Sequence, residues 1–224
     1  AAGEQASQMA VDIVPQELRE RLVEADEPNK VREAIKLAVF KANQSIVERG
    51  DNDPSTQNMG TTIVLGVCRA GKMYVAHIGD SRAYLIRDGQ IKRMTTDHNL
   101  AQALFEANTI SAEELDTHRF RHVLWKYLGS KEFGDGPDIS EIKLQDGDRI
   151  LLATDGLTGS LTDEMIRDEI LKATDPAACS AKLVSLALDN GSRDNVTGAV
   201  LFVTGPSQSA TDQADLAEQT TPDS

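Results

Sequence analysis

Aromatic residues make up only 4% of this chain, cysteines number two, and basic residues are outnumbered by acidic ones, 23 to 36. Each shortage removes a class of protein. With so few rings, a 40% hydrophobic content has to build an aliphatic core. A net charge of −13 leaves no basic stripe for nucleic acid and disfavours anionic membrane surfaces. Cys68 and Cys179 lie in apolar segments without metal-ligand spacing, so they read as small buried hydrophobes in a reducing cytosol. A cytoplasmic location is the matching expectation. No run of 18 apolar residues and no signal peptide is visible, so no membrane contact is expected of this segment.

The 224 residues fit one domain with a tail. Val11, Val14, Leu18 and Leu22 follow helical spacing, with Pro15 inside the pattern. A clearer stripe of Val31, Ile35, Ala38, Val39, Ala42 and Ile46 predicts a helix over 29–49. The period then falls to two. Segments 61–69, 72–79, 83–87 and 90–94 read as an antiparallel meander, turning at Ala70-Gly71, Gly79-Asp80-Ser81 and Asp88-Gly89. Helical pieces are expected at 100–107, 112–115 and 118–128, and strands at 139–144 and 148–153. Helices at 162–172 and 176–189 and a last strand at 195–203 complete the pattern. Runs of helices and strands in that order predict an α+β fold. The Ser/Thr/Gln/Asp-rich stretch 205–224 has no basic residue and reads as a disordered acidic tail.

What the chain does have is a carboxylate wherever an apolar strand ends in small residues. Asp80 stands in Ile78-Gly79-Asp80-Ser81-Arg82, Asp155 follows Leu151-Leu152-Ala153-Thr154, and Asp194 opens Asp194-Asn195-Val196-Thr197. A carboxylate there is held rigidly yet faces water, and three converging make a hard oxygen site for Mg²⁺ or Mn²⁺. Each alone is ordinary: Asp-Gly is a common turn or cap, Gly-Asp-Ser a common hairpin. Asp155 is the only charge at the end of a hydrophobic run, which favours a metal over a cap. Arg82 and Arg193 beside these acids read as salt-bridge partners, and His77 as a packed imidazole. His118 and His122, four apart, would share one helix face as in zinc sites, but no third ligand accompanies them.

Five segments in order carry a resemblance. They are Met59-Gly60-Thr61-Thr62, His77-Ile78-Gly79-Asp80-Ser81-Arg82, Thr96-Asp97-His98, Thr154-Asp155-Gly156-Leu157-Thr158 and Ser192-Arg193-Asp194-Asn195-Val196-Thr197. Together they resemble the type 2C, or PPM, metal-dependent serine/threonine protein phosphatases of bacterial type, over residues 1 to about 203. The resemblance implies a four-layer α/β/β/α sandwich of two antiparallel sheets in a domain spanning 1–204, with a flap at about 98–138. It implies two Mn²⁺ or Mg²⁺ ions, with Asp155 bridging them and Asp194 as a further ligand. Asp80 would serve a weaker third ion, although relatives often place another acid where this chain has Gly159. A metal-activated water would then hydrolyse phosphoserine and phosphothreonine in proteins that Ser/Thr kinases modify, the enzyme acting as a monomer. No Cys-x5-Arg loop is present, which sets aside tyrosine-phosphatase chemistry.

One departure from the family pattern bears on activity. The family's Asp-Gly-Met-Gly-Gly-His motif and the strands before it are not seen, and Ala1-Ala2-Gly3-Glu4 matches the stretch just after it. By resemblance that segment supplies two metal carboxylates, a carbonyl ligand, a phosphate-gripping Arg and a proton-donating His. The expectation is therefore an N-terminally truncated chain with weak or no activity. Two other readings stand beside it: a non-catalytic regulatory module of the same fold, and a metal-dependent nuclease, which the acidic composition disfavours.

Overall fold

The computed structural model of this chain describes residues 2–23, 25–115 and 117–205. The tail beyond Gly205 lies outside them. Helix α1 (Ala2–Arg21) and helix α2 (Pro28–Asn52) pair along their lengths. In α2 the expected stripe is buried, from Val31 through Ile35, Ala38, Val39 and Ala42 to Ile46. In α1 the buried face is Ala6, Ala10 and Val14, spaced by four, while Val11 is 65% exposed. The expectation for Val11 is thus overturned: small residues let α1 approach α2 closely, and the larger valine is turned outward.

Two sheets follow. β1 (Ile63–Arg69), β2 (Lys72–Ile78) and β5 (Asp138–Lys143) form one, in the order β1-β2-β5. β3 (Arg82–Arg87), β4 (Gln90–Arg93), β6 (Arg149–Ala153) and β7 (Gly198–Phe202) form the other, in the order β4-β3-β6-β7. All pairings are antiparallel. Both edges of β2 are taken by β1 and β5, and both edges of β3 by β4 and β6. Gly79-Asp80-Ser81 therefore carries the chain from one sheet to the other, which replaces the single meander expected from the sequence.

Strand alternation sorts the side chains into three apolar layers. Tyr74, Ala76 and Ile78 face α1 and α2 with Val31, Ile35 and Ile46. Met73, Val75 and Ile142 meet Ala83, Leu85 and Ile150 between the sheets. Tyr84, Ile86, Leu151 and Ala153 pack on α6 (Asp163–Lys172) and α7 (Pro176–Asp189) through Ile166, Ile170, Cys179 and Leu183. Each large side chain buried this way contributes about 1.5–3 kcal/mol. The result is the α+β four-layer sandwich. Thr162 and Asp175 cap α6 and α7 by accepting the N–H groups of Met165 and Ala178.

Three local expectations are corrected. Residues 118–128 are not helical, because Leu124 and Leu128 are bridge partners of Asn99 and Thr61, so His118 and His122 do not share a helix face. Helices α3 (Leu100–Glu106) and α4 (Ala112–Leu115) precede that segment. A one-turn helix α5 (Asp155–Thr158) begins directly after β6. Cys179 is buried as expected, whereas Cys68 is exposed because it stands on the outer strand β1. Among the described residues no helix is long and apolar enough to cross a membrane.

Candidate functional site

Asp80, Asp155 and Asp194 all line one open cleft of about 650 Å³. Asp80 sits on the crossing between the sheets, Asp155 in the first turn of α5, and Asp194 on the loop leading to β7. The other walls are Gly60, Thr61, Thr62, His122, Leu124 and Tyr127. The three strand ends predicted to converge do so.

Short hydrogen bonds fix the ends in place. The Thr154 backbone N–H donates to Thr197 O at 3.0 Å, and the Thr197 N–H donates to the Thr154 hydroxyl, also at 3.0 Å. That hydroxyl donates to Asn195 O at 3.2 Å. The Asn195 N–H in turn donates to Asp194 Oδ1 at 2.7 Å. Gly156 lets this loop close on α5: a Cβ there would lie 2.4 Å from the Asn195 carbonyl oxygen. On the opposite wall, a Cβ on Gly60 would lie 2.7 Å from the Tyr127 ring, and Thr61 exchanges backbone hydrogen bonds with Leu128 at 3.0 and 2.8 Å. Thr62 and Ser81 hydroxyls bond at 2.8 Å beside Asp80.

The Gly79 peptide is gripped on both sides by one residue. Its N–H donates to His98 Nδ1 at 3.1 Å, and its carbonyl accepts the His98 N–H at 3.0 Å. His98 carbonyl then accepts the Trp125 N–H at 3.0 Å, which ties segment 123–128 to the cleft. His77 stacks on His98 at 4.6 Å, buried as the sequence implied.

Electrostatics separates this site from an ordinary set of turns. None of the three aspartates ion-pairs with a Lys or Arg among the described residues. Arg82, the nearest candidate, is spent on Asp97 at 2.8 Å, and Asp97 also binds Arg93. Burial pushes the Asp80 carboxyl up to about 6, with repulsion from Asp155 and Asp97 adding to it. Burial raises Asp155 too, helped by Asp194. Carboxylates crowded in a half-buried cleft without a cation partner are a donor set that fits a hard divalent ion. Arg193 is exposed and makes no ion pair among the described residues, against the salt-bridge expectation.

A second cluster has the composition of a metal site but the wrong protons. Donor atoms of His77, His98 and Asp138 lie within 4.8 Å of one another. His77 Nε2 is 2.7 Å from Thr96 O, an acceptor only, so that nitrogen carries hydrogen. His98 Nδ1 accepts from Gly79, so its Nε2 carries hydrogen and donates to Asp138 at 3.3 Å. Lys126 occupies the other Asp138 oxygen at 2.8 Å. Burial holds both imidazoles below the ordinary histidine value, and the cluster is a neutral structural brace.

The sequence named Thr154 and His122 without revealing the parts they take here, and gave no sign of Leu124 or Tyr127 at the cleft. Thr154 acts through its hydroxyl across a chain separation of more than forty residues, which no local pattern reveals. His122, Leu124 and Tyr127 reach the cleft from a segment of turns and isolated bridges rather than a helix.

The two-sheet sandwich thus gathers three aspartates at one cleft. The chain matches the family described as Protein phosphatase 2C over residues 1–196, and it belongs to that family. It is 33% identical over 204 residues to the serine/threonine protein phosphatase PstP of Mycobacterium tuberculosis, covering 91% of this chain and 38% of that one. It is 34% identical over 177 residues to protein phosphatase PhpP of Streptococcus pneumoniae, covering 79% and 71%. The catalytic domain of PstP solved in complex with two manganese ions superposes with a TM-score of 0.77 at 30% identity, over 91% of this chain and 83% of that one. The chain thus spans little more than a third of the curated mycobacterial relative's length.

Proposed function

We propose that this chain belongs to a protein phosphatase acting on phosphoserine and phosphothreonine, with residues 1–204 as its phosphatase-type domain. Asp155 and Asp194 would hold the catalytic Mn²⁺ or Mg²⁺ ions, and Asp80 a weaker further ion. The observation that carries this reading is the set of carboxylates sharing one cleft with no Lys or Arg ion pair among the described residues. The manganese-bound relative supports it.

When bound, the ions supply Lewis acidity at the phosphoryl oxygens and an activated water at neutral pH. The chain's own residues do the rest. The Thr154 hydroxyl and the Asp194–Asn195 turn hold two carboxylates rigidly from β6 and the β7 loop. His98 holds the Gly79 peptide, and with it the backbone that carries Asp80. His122 lines the same cleft as Asp155. Segment 98–138 supplies the wall formed by His122, Leu124 and Tyr127.

The test is hydrolysis of p-nitrophenyl phosphate and of a phosphothreonine peptide, with Mn²⁺ and with EDTA. Manganese-dependent release of phosphate, weak for these 224 residues, that disappears in Asp155→Asn and Asp194→Asn is the expected result. Hydrolysis unaffected by EDTA or by both substitutions would overturn the assignment. Mn²⁺ binding without hydrolysis would favour a binding module instead.

A further inference from the structure

The sequence from 117 to 131 holds no Asp or Glu, in a chain with 36 of them, yet it contains Arg119, Arg121, Lys126 and Lys131. It also carries Trp125, the chain's one tryptophan. The structure places this segment on the rim of the aspartate cleft, since His122, Leu124 and Tyr127 are cleft walls. Two of the four cations are already used: Lys126 pairs with Asp138 and Lys131 with Asp51, each at 2.8 Å. The other two, Arg119 and Arg121, are exposed and have no carboxylate partner among the described residues. Arg119 lies 4.5 Å over the Phe120 ring, which limits its freedom and lowers the entropy lost on binding. Between them and the brace, Val123 is 46% and Trp125 54% exposed, a large apolar surface beside the charges.

We propose that this rim is the docking surface for acidic residues flanking the phosphorylated side chain, so that the preferred substrates are phosphopeptides with Glu or Asp near the phosphate. The phosphate itself rests on the phosphatase reading above; the acidic flank rests only on the rim. The chain as a whole carries a net charge of −13, so an acid-free segment with two arginines at the cleft rim is a local exception that favours an acidic peptide beside the cleft. Nucleic acid is the less fitting polyanion, because two unpaired arginines neutralise too few phosphates to offset the net charge of −13.

Trp125 emission and the anisotropy of labelled peptides test this on the 224-residue chain with Mn²⁺ present. The probes are a phosphothreonine peptide flanked by Glu, the same peptide flanked by Gln, a non-phosphorylated Glu peptide and oligo(dT). Exposed charge pairs are individually weak, so two of them predict a preference for Glu over Gln flanks of about five-fold. The preference should shrink in 0.3 M salt, as exposed pairs are screened. Arg119→Gln with Arg121→Gln should abolish it without lowering Tm. The non-phosphorylated Glu peptide should still shift Trp125 emission and lose that shift in the double variant, whether or not the chain hydrolyses anything. Equal affinity for Glu and Gln flanks, a preference that survives the double variant, or tighter binding of oligo(dT) would each overturn the proposal.

Discussion

Asp80 carries the clearest electrostatic signature of any single residue. Its folded value of about 6 lies above the roughly 3.9 of an unfolded aspartate, so the fold opposes its ionisation. A raised carboxyl costs stability once it must be charged, and that cost disappears as pH falls through the folded value. Asp155 shifts in the same direction. Lowering the pH from 7 to 5 should therefore shift the Tm of the metal-free protein about 2–4 °C more favourably, for roughly 1 kcal/mol, than it shifts that of Asp80→Asn. His77 and His98, held neutral in the fold, pull both proteins the other way as pH falls. With Mn²⁺ bound, protons compete with the ion for the same oxygens and the Asp80 advantage at low pH is lost. Identical pH dependence of Tm for the two proteins in EDTA would contradict the crowded-carboxylate account. These acids could be read from the sequence because each stands where an apolar strand meets a turn, Asp80 and Asp155 after one and Asp194 before one. Their partner groups could not: the His98 grip on Gly79 and the Arg82–Asp97 pair join residues that only the turn between sheets brings together.

Among the elements, β6 and β7 set the site and β3 braces it. Thr154 closes β6 onto the β7 loop, and its hydroxyl serves both a donor and an acceptor there. Thr154→Val keeps the shape but strands the Thr197 N–H and frees the Asp194 turn. Mn²⁺ affinity, followed by calorimetry, should fall about ten-fold, as for other groups that orient metal ligands. An unchanged affinity would show that the loop is held otherwise. Arg87 on β3 donates to buried Asp148 at 2.7 and 2.6 Å, and the Gln145 N–H adds a third bond at 2.8 Å. Burial opposes ionisation of Asp148, but these donors outweigh it and hold the carboxyl below its ordinary value. Its stabilisation is complete above about pH 4 and is lost as pH falls through the folded value. Asp148→Ala should lower stability by about 2–4 kcal/mol in denaturant melts near pH 7, less than a fully buried pair because Arg87 is 27% exposed. Element types were legible wherever one period ran long, as in α2 and α7. Segment 118–128 misled because its apolar residues fit a helix, while its backbone is claimed by Asn99 and Thr61 from outside.

At the scale of the whole molecule, the layer between the sheets is closed on one side and open on the other. Val64 on β1 and Leu201 and Val203 at β7 join the inter-sheet layer, so Gly66, Cys68 and Ala199 share that face by strand alternation. All three are exposed. β1 and β7 are outer strands of their sheets, and β1 lies against β6, so the seam gapes where these two strands end the layers. The sequence could not show this, because a cysteine in an apolar strand looks the same whether the strand is central or outer. An open seam makes a chemical prediction that a closed one does not. In native protein one thiol, Cys68, should react with Ellman's reagent, and Cys179 should react only after unfolding. Partial shielding raises the Cys68 thiol above its ordinary value, so its reaction should accelerate markedly from pH 7 to pH 9 as thiolate forms. Cys68→Ser should leave no native reactivity while Tm stays nearly unchanged, since an exposed side chain takes little packing with it. If both thiols stay silent until the melt, something covers β1 and β7 in solution. The outer-strand ladders, which are otherwise open to pairing with another chain, would then be the first place to look.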